Sequence, residues 1–221
     1  MGIISVEQAD RLYWLGRYTE RVYTTLNMFS KSFDSLIDGI ADSYVDFCKS
    51  IDIPNVYVDK ADFVKRYPFD VELSDSIISN LNRAYDNAIE LRESIGSESL
   101  AYIQLAIYDM KKAADSKAPL IELQKVVDNL LAFYGIADDQ IDSENIRNII
   151  KAGRRIERID MYARLGVRRE MLTREIHRMV PRVRKSGLDY NLGKIDEIIR
   201  LVECESIDYY KIVDEVESIF W

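Results

Sequence analysis

The pattern Gly-Arg-x-x-Glu-Arg occurs twice in this chain, at residues 16–21 and again at residues 153–158. Side chains three and four residues apart are neighbours on a helix, so each copy would place two guanidinium groups and one carboxylate on one face. Arginine binds carboxylates and phosphates through planar, bidentate hydrogen bonds, and a glutamate beside it can orient the arginine or bind an amine. The repeat therefore predicts two helices that present the same polar cluster, either to each other or to a shared anionic ligand.

A pocket for a small anionic or zwitterionic ligand is one interpretation of these residues. If the two copies converge, their charged side chains suit an amino acid, a peptide end or a phosphate, and Trp14 beside Tyr13 would supply an apolar or cation–π wall. The alternative is a buried salt-bridge network that fixes the register of the helices. The candidate ligand-binding residues are Trp14, Arg17, Glu20, Arg21, Asn87, Arg92, Arg154, Glu157 and Arg158.

The rest of the sequence carries no recognisable catalytic, metal or nucleotide motif. His177 is the single histidine, and its position between Arg174 and Arg178 is typical of a helix surface. Residues 138–142 have the Asp-Asp-x-x-Asp form that binds magnesium diphosphate in isoprenoid synthases, but the helix macrodipole explains acids that precede a capped helix. The sequence thus predicts no cofactor, no metal site and no assignable catalytic residue, and it leaves open whether the protein is an enzyme.

Composition favours one all-α domain over residues 1–221. The chain is 48% apolar and contains four prolines and nine glycines, too few for a loop-rich or all-β fold. Cys48 and Cys204 have no metal or redox spacing, which favours free thiols in a reducing compartment. No apolar run approaches the roughly 20 residues of a membrane span, and residues 1–8 lack a signal-peptide pattern. We therefore expect a cytoplasmic protein with no membrane contact.

The charge is unevenly distributed along the chain. The net charge is −8, yet the stretch from Arg147 to Lys185 carries 13 basic and four acidic residues, so that it is +9 and the remainder −17. One interpretation is a basic layer packed against an acidic one, and the other is an anion-binding surface. Nucleic acid is not expected as a partner, because aromatic residues for base stacking are nearly absent from residues 164–185.

Two long helices must position the two copies of the motif. A capping box at Ser5 and a seven-residue apolar repeat predict a helix over residues 5–38, with Gly39 as its C-terminal stop. Ser143 caps the second helix, which we expect to continue past Gly166 towards Pro181. Shorter helices are predicted near residues 43 and 59, and over residues 74–95, 97–114, 119–135, 191–202 and 207–220. These elements predict an all-α, antiparallel bundle of roughly six to eight helices.

The first helix is expected to be contacted on both sides. Its apolar repeat occupies one face, and the charged residues of the motif lie on the opposite face together with Tyr13 and Trp14. A face that only met solvent would not need those two aromatic residues. The polar cluster is therefore predicted to be partly buried.

Three blocks of the sequence stand out, at residues 9–21, 87–93 and 153–165. They resemble the alpha-E proteins of bacteria, an all-helical family named for a Glu-Arg motif. The chain departs from the usual pattern in being shorter and in having Leu100 where an aromatic residue is expected. The blocks are Ala9-Asp10-Arg11-Leu12-Tyr13-Trp14-Leu15-Gly16-Arg17-Tyr18-Thr19-Glu20-Arg21, then Asn87-Ala88 with Leu91-Arg92-Glu93, and Gly153-Arg154-Arg155-Ile156-Glu157-Arg158-Ile159-Asp160-Met161-Tyr162-Ala163-Arg164-Leu165.

The resemblance implies an association rather than an activity. Alpha-E proteins are linked to circularly permuted ATP-grasp ligases and to transglutaminase-like or peptidase proteins, in systems that form or modify peptide-like amide bonds. The resemblance therefore implies an accessory or binding module with a ligase, transglutaminase-like or peptidase partner. The alternatives are a stand-alone enzyme acting on a peptide or amino-acyl substrate, and a purely structural interaction protein with an internal salt-bridge network.

Overall fold

The computed structural model describes residues 4–38 and 43–220, and the side chains of residues 4–30 and 44–220. Within these ranges the chain forms eleven helices and no strand, which confirms the predicted all-α class. Eight of these helices have nine residues or more, in agreement with the predicted number. The helices are α1 (Val6–Asp38), α2 (Ser43–Ser50), α3 (Lys60–Arg66), α4 (Ile77–Glu90), α5 (Arg92–Ile95), α6 (Ser97–Ala114), α7 (Pro119–Gln140), α8 (Glu144–Arg164), α9 (Arg169–Lys185), α10 (Leu192–Glu203) and α11 (Tyr209–Glu217).

The chain divides into two compact units. The first unit comprises residues Met1–Glu20 and Asp142–Trp221, and it contains the start of α1 together with α8 to α11. The second unit comprises residues Arg21–Ile141, with the rest of α1 and α2 to α7. The prediction that residues 1–221 form a single domain stays a prediction. None of the helices in the described ranges has both the length and the apolar character that a membrane crossing requires.

Side-chain caps begin several helices where the sequence predicts them. The Gln8 amide donates to Ser5 Oγ at 3.1 Å at the start of α1, and the Ile146 amide donates to Ser143 Oγ at 3.4 Å at the start of α8. These hydroxyls satisfy backbone donors that have no partner inside the helix. Pro119 occupies the first turn of α7, where the missing N–H has no cost. The predicted stop at Gly39 lies outside the described residues.

Several predicted helix boundaries are wrong. The helix predicted over residues 74–95 begins at Ile77, with Ser76 as its cap, and Leu91 divides it into α4 and α5. The helix that begins at Pro119 does not end near residue 135 but continues to Gln140, because Phe133, Tyr134 and Ala137 are all buried on its inner face. The helix that begins after Ser143 does not continue past Gly166, which has a φ of +55°. There the Val167 amide donates to the Tyr162 carbonyl at 3.1 Å, a closing pattern that requires a left-handed residue. The chain then reverses, and α9 packs against α8.

An aromatic core fills the first part of the second unit. Phe29, Phe63 and Tyr67 are almost fully buried, and the rings of Phe63 and Tyr67 stack with centroids 5.0 Å apart. Farther along the chain, α6 and α7 pack side by side across a short turn. Cys48 is buried in this unit, Cys204 lies in the first unit, and both are free thiols, as predicted.

Candidate functional site

Helices α1 and α8 touch at the glycines of the two motif copies. Gly16 and Gly153 are both buried, and a Cβ on Gly16 would overlap the carbonyl oxygen of Ile150. A Cβ on Gly153 would in turn overlap the carbonyl oxygen of Tyr13. Each glycine is therefore required by the backbone of the opposite helix. This contact brings the charged residues that follow the two glycines within reach of one another.

The two copies pair reciprocally. Arg17 Nε donates to Glu157 at 2.6 Å, and Arg154 Nε donates to Glu20 at 3.4 Å, so the first arginine of each copy binds the glutamate of the other. The last arginine of the second copy, Arg158, also donates to Glu20, at 2.6 Å. Of the two alternatives that the repeat left open, the structure shows the copies presented to each other.

The half of this crossing around Arg17 is closed to solvent. Arg17 is 7% exposed, and its guanidinium group lies 3.4 Å from Asp160 and 5.1 Å from the centroid of the Trp14 ring. Burial is the largest single effect on the pKa of Arg17 and lowers it, but the neighbouring Glu157, Tyr13 and Asp160 together outweigh burial and hold this pKa above its ordinary value. Trp14 thus makes a cation–π contact with an internal ion pair, and its role as the wall of a ligand pocket stays a prediction.

The other half reaches the surface through arginines that share two buried glutamates. Glu20 is fully buried and Glu175, on α9, is 1% exposed. Glu175 accepts from Arg155, lies 2.9 Å from Arg178 and is 3.8 Å from Arg158, which also binds Glu20. We call the five arginines that contact Glu20 and Glu175 the guanidinium layer. Its members are Arg154, Arg155, Arg158, Arg174 and Arg178.

The guanidinium layer carries a surplus of positive charge around Glu175. In the part of the chain that the structure describes, Arg155, Arg174 and Arg178 all contact this one carboxylate, and their side chains are 23%, 56% and 52% exposed. Burial is the main cause that holds the pKa of Arg155 below its ordinary value, and the nearby guanidinium groups of Arg158 and Arg154 lower it further. A group of cations that exceeds its internal counter-charges favours an external anion.

An open groove adjoins the guanidinium layer along α9. It encloses about 540 Å³, and Arg174 and Arg178 belong both to its lining and to the layer. Arg169, Thr173 and His177 line the rest of it with Glu170. The exposed groove continues the positive surface beyond the buried crossing.

Six of the nine candidate residues belong to the first unit and three to the second. Trp14, Arg17, Glu20, Arg154, Glu157 and Arg158 all belong to the first unit. Arg21, Asn87 and Arg92 belong to the second unit, where Arg92 is exposed and donates to Ser97 Oγ at 3.2 Å. Their part in a ligand site stays a prediction.

The candidate residues omitted five members of the network, among them Arg174 and Arg178 of the guanidinium layer. Asp160 binds Arg17 and also accepts from Arg164 at 2.7 Å, and its place three residues after Glu157 could have indicated the same helix face. Glu175 is one of few acids in a basic stretch. Arg155 occupies a variable position of the motif, which gave no signal. In the part of the chain that the structure describes, no group of three histidine, cysteine or acidic side chains is arranged to hold a metal ion.

Comparison with known proteins gives a family and no described relative. No curated protein and no solved structure matches the chain. A family model matches residues 7–199, with the description "Alpha-E: a predicted alpha-helical domain with a conserved ER motif". The matched range includes both Glu-Arg pairs, Glu20-Arg21 and Glu157-Arg158, and nearly all of the helices described above. The chain therefore belongs to the Alpha-E family.

Proposed function

We propose that this chain is the accessory binding module of an ATP-grasp-linked system that forms or modifies peptide-like amide bonds. In this proposal the guanidinium layer holds a carboxylate or phosphate group of a small anionic or zwitterionic ligand. The observation that supports it most is that three partly exposed arginines, Arg155, Arg174 and Arg178, contact the single buried carboxylate of Glu175. The linkage to amide-bond chemistry rests on the family resemblance.

The buried glutamates prepare the arginines for such a ligand. Glu175 is 1% exposed and contacts Arg178 at 2.9 Å and Arg174 at 3.7 Å, whereas the side chains of these two arginines are 52% and 56% exposed. A guanidinium group offers five N–H donors in a planar fork, so a carboxylate bound on the inner side leaves outward donors for a second anion. Because Glu175 already orients the arginines, the ligand would lose less side-chain entropy on binding.

The partner supplies the remaining chemistry in this proposal. The sequence has no glycine-rich phosphate loop, so ATP would bind to an ATP-grasp ligase, and a transglutaminase-like or peptidase protein would be a further partner. We place this system in the cytoplasm, which agrees with two free cysteines.

Neutralising the exposed part of the guanidinium layer tests ligand binding. We expect wild-type protein to bind L-alanyl-L-glutamate or inorganic phosphate at constant ionic strength, and the double variant Arg174→Gln/Arg178→Gln to bind at least about tenfold more weakly. Isothermal titration calorimetry measures both affinities. Arg184→Gln is the matched control, because Arg184 is an exposed arginine on the same helix outside the groove. If neither probe binds, or if the control loses as much affinity, the proposed site is wrong.

A tagged-protein pull-down from the native host tests the partner separately. We expect mass spectrometry to identify an ATP-grasp ligase with the wild-type chain. A chain that purifies without such a ligase under conditions that preserve the fold would contradict the accessory role, while leaving the ligand-binding result to stand on its own.

A purely structural network is the second candidate. The 7% exposure of Arg17 supports it for the half of the crossing around Arg17, the inner half, whereas the guanidinium layer forms the outer half. Arg158→Lys discriminates between the two roles in the outer half. Lysine keeps the charge beside Glu20 but loses the planar fork that also approaches Glu175. We expect a melting temperature within about 5 °C of wild type and at least about tenfold weaker binding of the dipeptide. A large loss of thermal stability with unchanged affinity would favour the structural role.

A further inference from the structure

A groove in the second unit has the size of a small-molecule site. It encloses about 600 Å³ between α3 and the turn that joins α6 to α7. Apolar side chains provide most of its wall, and binding pockets for small molecules commonly have volumes of about 300–1,000 Å³ with mainly apolar linings. The apolar lining residues are Ala61, Val64, Phe69, Ala113, Ala114 and Pro119.

The charged residues of this groove are mainly basic. Lys60 and Lys65 both line it, and neither forms an ion pair or side-chain hydrogen bond with any residue that the structure describes. The lining contains one acid, Asp59, whose carboxylate is engaged as the cap of α3 and accepts from the Asp62 amide at 2.8 Å. Two lysines therefore line a largely apolar groove in which the one lining carboxylate already has a backbone donor.

We propose that this groove binds a small amphipathic acid. The apolar body of the ligand, aromatic or aliphatic, packs against Val64, Phe69 and Pro119, and its anionic group pairs with Lys60 and Lys65. The charge of the rim selects an acid over a neutral or cationic molecule, and the apolar wall selects against a small hydrophilic anion. This site lies in the second unit and is independent of the guanidinium layer.

A matched pair of fluorescent probes tests the charge requirement on the full chain. The probes are 8-anilino-1-naphthalenesulfonate, which carries an anionic group, and N-phenyl-1-naphthylamine, which has nearly the same apolar body without the charge. We expect Lys60→Gln/Lys65→Gln to weaken binding of the sulfonate about fivefold and to leave binding of the neutral probe within about twofold of wild type. Lys111→Gln, at an exposed lysine of α6 outside the groove, is the control. If the double variant binds the sulfonate as wild type does, the proposed recognition of an acid is wrong.

Filling the groove tests its location. Ala61 is exposed on the short helix α3, so Ala61→Trp is expected to fold and to place an indole in the groove. This variant should lose most of the binding of both probes, whereas Ala101→Trp, at an exposed alanine of α6 outside the groove, should bind both as wild type does. Circular dichroism checks the fold of each variant. Unchanged binding to a folded Ala61→Trp variant would place the probes elsewhere and overturn the proposal.

Discussion

Gly16→Val and Gly153→Val are each expected to destabilise the first unit by more than about 4 kcal/mol, enough to unfold it under ordinary conditions. At either position a Cβ would overlap a backbone carbonyl oxygen of the opposite helix, that of Ile150 or that of Tyr13. Backbone atoms cannot rotate away as a side chain can, so α1 and α8 would have to separate. Separation would also break the buried pair between Arg17 and Glu157. Urea denaturation followed by circular dichroism measures the loss.

Gly135→Ala provides the control for this prediction. Gly135 lies within α7, and a Cβ at this position would have no atom within 4 Å. Alanine there is expected to raise the stability by about 0.5–1 kcal/mol, because glycine loses more backbone entropy in a helix. If the valine variants unfold at the same urea concentration as the wild type, the close contact of α1 and α8 is wrong.

The sequence predicted the helices better than the way in which they meet. The Ser5 and Ser143 caps depend on neighbouring residues, and both were predicted correctly. The repeated motif also indicated which faces of α1 and α8 are polar. It could not decide between a shared ligand and reciprocal pairing, because helical spacing fixes a face and not the helix that packs against it. The contact between Arg17 and Glu157 joins residues 140 positions apart.

The candidate site shows the same limit. The motif identified Glu20 and Glu157 because each has a fixed spacing from arginines on its own helix. Glu175 was missed because its role depends on the reversal at Gly166, which brings α9 back against α8. The sequence pattern predicted a continuous helix there, and a continuous helix would have carried Glu175 away from Arg155 and Arg158. Tertiary packing, rather than local propensity, therefore decided which carboxylates complete the network.

Arg17→Met and Arg154→Met are expected to have unequal effects, although the two arginines hold equivalent positions in the two motif copies. Arg17 contacts Glu157 at 2.6 Å and Asp160 at 3.4 Å, and both carboxylates are at most 1% exposed. Removing the guanidinium group leaves buried negative charge with less compensation, which typically costs about 3–5 kcal/mol. Arg154 is 15% exposed and lies 3.4 Å from Glu20. Because Arg158 would still contact Glu20 at 2.6 Å after Arg154 is replaced, we expect the free energy of unfolding to fall by only about 1 kcal/mol.

Chemical denaturation of the two variants measures this asymmetry. The double variant Arg17→Met/Glu157→Met tests whether removing both charges of the buried pair restores stability. Because methionine can fill the space of both buried side chains without charge, the double variant is expected to recover at least half of the stability that Arg17→Met loses. Equal losses at Arg17 and Arg154 would mean that the inner and outer halves are structural to the same degree. That result would count against a ligand role for the guanidinium layer, since arginines that the fold requires so strongly would have few outward donors left for an external anion.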